Sequence, residues 1–210
     1  MFINNFLDDL KNLLGQNYCF FCGLIEEIVC PTCFKKLLLD SKIRFESNVP
    51  VLSLTQNNET IARMIVNHKD FGLSNLKEPF SDFIALGLKY FSKHEKVYVV
   101  NVPSSFQSIQ KRGLDPISIM TEIACKKAGQ RFIYKRNLLT SYENRKDQAG
   151  LNFDQRNKNM KNVFRSDLVA TKPVIIVDDL ITTGASLRES IRALRQIENQ
   201  VRACVVVAAN

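Results

Sequence analysis

Nothing in the 210 residues reads as a membrane span, an internal repeat or a low-complexity tract. A helix needs roughly 20 consecutive apolar residues to cross a bilayer, and no run approaches that length, which excludes a channel. A composition of 45% hydrophobic and 24% charged residues, with no collagen-like period, excludes a fibrous chain or a disordered tail protein. Residues 1–10 lack a basic stretch, and Asp8 and Asp9 interrupt their apolar side chains, so no secretory signal is read there. The protein is therefore expected in the cytoplasm, meeting the inner face of the membrane only through partners. In that compartment six cysteines are not expected to form a disulfide framework. Histidine is scarce: His68 and His94 are the only two, neither lies near an evident site, and both are expected on the surface.

What is present is unevenly placed. The formal charge is +8, and all of the excess falls in residues 104–165, which hold 13 basic and 5 acidic side chains. A localised basic stretch points to an anionic partner, either a phosphorylated small molecule or nucleic acid, against the plainer reading of a solvated face.

Four of the six cysteines lie close together as Cys19-Phe-Phe-Cys22 and Cys30-Pro-Thr-Cys33. Each pair forms a tight knuckle that supplies two thiolates, and a short hairpin can join two such knuckles around one tetrahedral ion. Gly23 suits the positive φ that such a turn favours. Structural Zn²⁺ is the reading; a redox dithiol, or pairs that no longer hold metal, are the rivals. Upstream, Phe2, Ile3, Phe6, Leu7, Leu10, Leu13 and Leu14 recur at helical spacing and predict a short amphipathic helix. Cys125 and Cys204 sit in apolar-periodic stretches and read as small buried hydrophobes.

Beyond about residue 48 the pattern alternates. Strands are expected at 49–54, 96–102, 131–134, 174–178 and 201–208, and helices at 60–68, 79–92, 115–127 and 185–197. Strands alternating with helices imply an α/β fold with a mostly parallel sheet flanked by helices. Residues 141–161 break the pattern with a long polar run, and a loop of that length is usually functional or disordered, so a mobile lid is expected there.

The most specific signal is Val174-Ile-Ile-Val-Asp-Asp-Leu-Ile-Thr-Thr-Gly-Ala-Ser186. A buried strand delivers Asp178 and Asp179 to its carboxyl end, where open α/β sheets bind ligands. Thr182, Thr183, Gly184, Ala185 and Ser186 then turn into a helix, whose N–H groups and dipole favour a phosphate. Two acids so near a phosphate would repel it unless they bind vicinal sugar hydroxyls or hold Mg²⁺ through water. An Asp turn with ordinary Thr or Ser capping accounts for less of this pattern.

This stretch resembles the phosphoribosyl pyrophosphate (PRPP) motif of the type I phosphoribosyltransferase fold. The resemblance implies that Asp178 and Asp179 bind the ribose hydroxyls and that the following loop takes the 5′-phosphate. Together with the early cysteine module, Val102-Pro103 before Lys111-Arg112-Gly113, and Asn162-Val-Phe164, the order is similar to the ComF family. That family is associated with competence, the uptake of single-stranded DNA in natural transformation. Its usual Arg-Gly-Phe-Asn-Gln is replaced here by Arg112-Gly113-Leu114-Asp115-Pro116. The resemblance implies a four-cysteine zinc module with its leading helix over residues 1–47, and a phosphoribosyltransferase-like domain over 48–210. Mg²⁺ would accompany PRPP, and residues 104–113 would handle pyrophosphate. Lys111 and Arg112, with Arg145 and Lys146 from the lid, are the candidates for pyrophosphate or DNA. Phe106, Phe132, Tyr134, Tyr142 and Phe153 add aromatic side chains to the basic segment, as single-strand binding uses. Three functions stay open: a DNA-uptake factor binding PRPP, single-stranded DNA and uptake-machinery proteins; an active phosphoribosyltransferase on an unassigned acceptor; and a non-catalytic PRPP sensor.

Overall fold

A computed structural model describes residues 18–25, 27–70, 76–142 and 162–210. The expected N-terminal helix, and Arg145, Lys146 and Phe153 of the expected lid, lie outside the described residues. In chain order the elements are α1 (Pro31–Leu38), β1 (Lys42–Glu46), β2 (Val49–Gln56), α2 (Glu59–Asp70), α3 (Lys77–Phe91), β3 (Val97–Asn101) and α4 (Phe106–Arg112). They continue with α5 (Pro116–Ala128), β4 (Phe132–Tyr134), a 3₁₀ turn (Arg136–Leu138), β5 (Thr140–Ser141), β6 (Phe164–Arg165), β7 (Val174–Ile181), α6 (Ala185–Arg195) and β8 (Val201–Ala209).

Six strands form one sheet in the order β1-β2-β8-β7-β3-β4. Every neighbouring pair is parallel except the edge hairpin β1–β2, so the sheet is the mostly parallel one that the alternation predicts. Strand alternation divides the core into two faces. Leu52, Leu54, Val97, Val99, Ile175, Val177, Val205 and Val207 pack on one face, with Phe80, Phe83, Ile84 and Leu88 of α3 and Ile117, Met120 and Ala124 of α5. Val49, Val51, Val100, Val174, Ile176, Cys204 and Val206 pack on the other, with Leu187, Ile191 and Leu194 of α6. Cys125 and Cys204 are buried, as their surroundings in the sequence imply.

The helix α3 approaches the sheet closely because position 87 has no side chain. A Cβ on Gly87 would lie 2.4 Å from Cγ1 of Val205 in β8. On the opposite face, buried Glu189 of α6 accepts hydrogen bonds from the Phe164 N–H and the Arg192 guanidinium, while Arg192 also donates to the Phe164 carbonyl. This clamp fixes the short β5–β6 ribbon against α6.

Several elements differ from the sequence expectations. The strand expected at 174–178 runs on to Ile181, because β8 pairs with it as far as Ala209. Residues 106–112, expected as loop, form α4: Ser105 caps it by accepting from the Ser108 N–H, and Gly113, at φ 72, ends it. His68, expected on the surface, is buried and meets Phe80 edge to face, whereas His94 is exposed. Phe132 belongs to the core rather than to a charged surface. Among the described residues, no helix is long and apolar enough to cross a membrane.

Gly87→Val is expected to force α3 away from β8. Overpacking of this kind costs about 1–3 kcal/mol, which corresponds to a Tm lowered by roughly 2–12 °C for a chain of this size. Thermal unfolding followed by circular dichroism checks this; an unchanged Tm would show that α3 does not pack at that distance.

Candidate functional site

The central feature is the carboxyl end of β7. β3 accompanies β7 only as far as Asn101 opposite Val177, and the Val102 N–H closes that ladder on the Val177 carbonyl. On its other side β8 continues through Asp178–Val206 to Ile181–Ala209. Asp178 and Asp179 therefore lie within a paired strand, just past the point where β3 turns away. Alternation sends them to different faces. Asp178 helps raise the thiol of Cys204 beneath α6, after the larger effect of burial, while Asp179 helps raise the carboxyl of Asp115 on the α5 side. The Asp179 N–H donates to Asp178 Oδ1 at 2.9 Å, which fixes the first carboxylate against its own backbone.

Thr182 and Thr183 follow, and the chain reverses at Gly184 with φ 73 to enter α6 at Ala185. Thr183 Oγ1 accepts from the Ala185 N–H at 3.3 Å. Thr182 is exposed, Thr183 and Ser186 are half-buried, and Gly184 and Ala185 are buried. The left-handed residue at the helix entrance is a position where a side chain costs about 1–2 kcal/mol. The space in front of it is filled by an anion from the chain itself, since Glu46 Oε1 lies 2.6 Å from where a Gly184 Cβ would stand. An anionic oxygen thus fits against this loop.

A second group of residues lines a cavity of about 200 Å³ past the end of β3. Its walls include Asn101, Ser104, Phe106, Asp115, Arg136 and Tyr142. Asp115, buried to 7% exposure, accepts from Ser104 Oγ at 2.8 Å and stands 3.6 Å from the Arg136 guanidinium. Burial pushes its carboxyl above the usual range and Asp179 adds to this, while Ser104, Arg136 and the Ser118 N–H pull the other way. Behind it, the Tyr134 hydroxyl donates to Asn101 Oδ1 and also bonds Ser118. The cavity thus offers hydroxyl, amide and guanidinium donors beside a buried acid.

Lys111 and Arg112 lie in the last turn of α4, Lys111 exposed and Arg112 half-buried, and neither lines this cavity. Arg136, which does, carries a single signal in the sequence, its place just after the short strand expected at 131–134. Phe106 and Tyr142 both line the cavity and are exposed over 63% and 48% of their surfaces.

The cysteine module is separate from these residues. Cys19, Cys22, Cys30 and Cys33 place their four sulfurs within 4.8 Å of one another, and none is in a disulfide. A tetrahedral ion with metal–sulfur bonds of about 2.3 Å sets its sulfurs about 3.8 Å apart, close to the 3.6 Å between Cys22 and Cys30. Gly23 takes the expected positive φ, at 72, and its N–H returns to the Cys19 carbonyl. The Cys30 N–H donates to the Cys19 sulfur at 3.4 Å. Burial opposes ionisation of Cys19, yet N–H groups of Cys30, Phe21 and Cys22 bring its thiol down to about 7. Burial and the neighbouring thiols push Cys33 far up. The four sulfurs at this spacing fit one tetrahedral cation, whose charge would favour their ionisation.

Comparison with known proteins bears on the strand–loop–helix site. A search of curated proteins gives no match. Two solved structures align along most of the chain at low similarity. Adenine phosphoribosyltransferase from Saccharomyces cerevisiae, complexed with an imino-altritol bisphosphate and adenine, is 16% identical, with a TM-score of 0.40 over 86% of this chain and 90% of that one. Another adenine phosphoribosyltransferase is 17% identical, with a TM-score of 0.36 over 84% of this chain and 89% of that one. Residues 136–210 match the family model of the phosphoribosyl transferase domain. The matched segment contains Arg136, both acids, the Thr182–Ser186 loop, α6 and β8, and over it the chain is phosphoribosyltransferase-like.

Proposed function

We propose that the protein binds PRPP, or a related phosphoribosyl ligand, at the carboxyl end of β7. One observation carries this reading: two consecutive carboxylates in a buried parallel strand lead directly into a left-handed glycine and a helix entrance, within the segment that matches the phosphoribosyl transferase domain. Asp178 and Asp179 are assigned to the ribose hydroxyls, and the backbone and hydroxyls of Thr182, Thr183, Gly184, Ala185 and Ser186 to the 5′-phosphate. Arg136, which lines the β3 cavity and stands 3.6 Å from Asp115, is assigned to the pyrophosphate, joining Lys111 and Arg112 and, beyond the described residues, Arg145 and Lys146. Mg²⁺ would supply further charge neutralisation on the pyrophosphate.

Phosphoribosyltransferase activity is consistent with this arrangement. As the bond from ribose C1′ to pyrophosphate breaks, positive charge grows on the sugar and negative charge on the leaving group, and fixed cations at the leaving group are worth most in a site closed to water. The acceptor is unassigned, and a non-catalytic PRPP sensor needs the same ligand contacts. Zinc held by Cys19, Cys22, Cys30 and Cys33 fills all four positions with protein ligands, so its role is structural.

A finer reading, a ComF-like role in competence with single-stranded DNA handled in the cytoplasm and uptake-machinery proteins as partners, rests on the order of motifs along the chain. The exposed rings of Phe106 and Tyr142 beside Arg136 favour it, because stacking rings within a basic groove hold single strands.

Calorimetric titration with PRPP and Mg²⁺ is expected to give saturable binding that Asp178→Asn weakens at least about tenfold, a loss near 1.4 kcal/mol; a correctly folded, zinc-loaded protein that does not bind would overturn the assignment. Elemental analysis is expected to find about one zinc per chain, and Cys30→Ser to lose it. Single-stranded oligonucleotide is expected to bind with an affinity that falls steeply with salt and falls further when Arg136 and Lys111 are neutralised. Binding that ignores salt, or no binding at low salt, would remove the DNA role.

A further inference from the structure

Glu46 ends β1 at the edge of the sheet, yet its side chain turns inward and is only 16% exposed. One carboxylate oxygen accepts from Arg188 Nη1 at 2.9 Å. The other lies 2.6 Å from the position of a Gly184 Cβ, and Arg188 Nη1 is 2.8 Å from the same point. Glu46 thus reaches the entrance of α6 from a strand that is distant in sequence. It takes both attractions that this spot offers an anion: the helix dipole with the open face of Gly184, and a guanidinium one turn into the helix.

A phosphate asks for the same things. It needs negative charge tolerated at the helix entrance, close approach to Gly184, and an arginine in reach. A phosphate and a carboxylate brought together there repel each other strongly in a partly buried setting. We infer that Glu46 is a resident occupant of the anion cradle, which a phosphate-bearing ligand displaces from Gly184 and Arg188 before it seats. This rests on the phosphoribosyl reading of the loop and adds a determinant of its affinity. Arg188 then changes partner from carboxylate to phosphate. Glu46 is the group that sets how strongly a ligand must bind to open the site. Weak anions are rejected, whereas a ligand that also engages Asp178 and Asp179 can meet the cost of displacement.

The test compares ribose 5-phosphate binding by calorimetry in the zinc-loaded full chain, as wild type, Glu46→Gln and Glu46→Ala. Glu59→Gln, which removes one exposed negative charge from the start of α2, controls for net charge. Both Glu46 variants are expected to bind about 5- to 150-fold more tightly than wild type, the range of ordinary coupling free energies, and Glu59→Gln to bind as wild type does. The conservative Gln variant keeps the test intact if the Ala variant folds poorly. Tighter binding only in the Glu46 variants, including binding where wild type shows none, supports displacement. Equal or weaker binding by the Glu46 variants, or an equal gain in Glu59→Gln, overturns it while leaving the phosphate loop in place. Absence of binding in every protein would remove the displacement and the phosphoribosyl reading together.

Discussion

The unequal length of neighbouring strands is the constraint on which the site depends. β7 is held on both sides while it crosses the core, and its β3 ladder stops at Val177 while its β8 ladder continues to Ile181. Asp178 and Asp179 fall in that interval. Paired on one side, they are held by the sheet; with β3 diverted at Val102, room opens beside them for a ligand. The buried runs Val174–Val177 and Ala203–Val207, apolar on both faces, give this register its stability. A site on such a strand is positioned more precisely than one on a loop.

Charge is the second organising factor, and it is not the simple basic surface that the overall +8 suggests. Asp178, Asp179, Asp115 and Glu46 gather around the end of the sheet, answered among the described residues by Arg136 and Arg188 at the edges. A polyanionic ligand entering there requires cations of its own, which is why Mg²⁺ suits the proposed chemistry. Burial pushes the carboxyl of Asp115 up and Asp179 adds to this, while Ser104 and Arg136 beside it pull the other way. Under the proposed phosphoribosyl reading, phosphate handling accounts for part of the basic excess of residues 104–165 without any nucleic acid.

The parts of the protein that could be read from sequence are those set by local pattern. β7 and β8 appear as apolar runs, α3 as an apolar stripe from Phe80 to Phe91, and the four-cysteine module as two Cys-x-x-Cys knuckles. The acids and the Thr182–Ser186 loop stand together in thirteen residues, so their juxtaposition needed no tertiary information. What escaped was decided by contacts between distant segments. β1 exists because Lys42–Glu46 pairs with β2, and its exposed Ile43 and Phe45 gave a weak core signal. His68 is buried because α2 brings it to Phe80, and Glu46 meets Gly184 across 138 positions of chain. Arg136 gains meaning only once Asp115 is placed beside it.

An anion is proposed to seat where β7 passes into α6. Amide chemical shifts of isotopically labelled, zinc-loaded protein, followed while ribose 5-phosphate is added, test it most directly. The largest changes are expected on the N–H groups of Thr182 to Ser186, accompanied by changes at Glu46 and in the side chain of Arg188. Shifts confined to the basic segment around Lys111 and Arg136, with Gly184 and Ala185 unmoved at saturation, would contradict it.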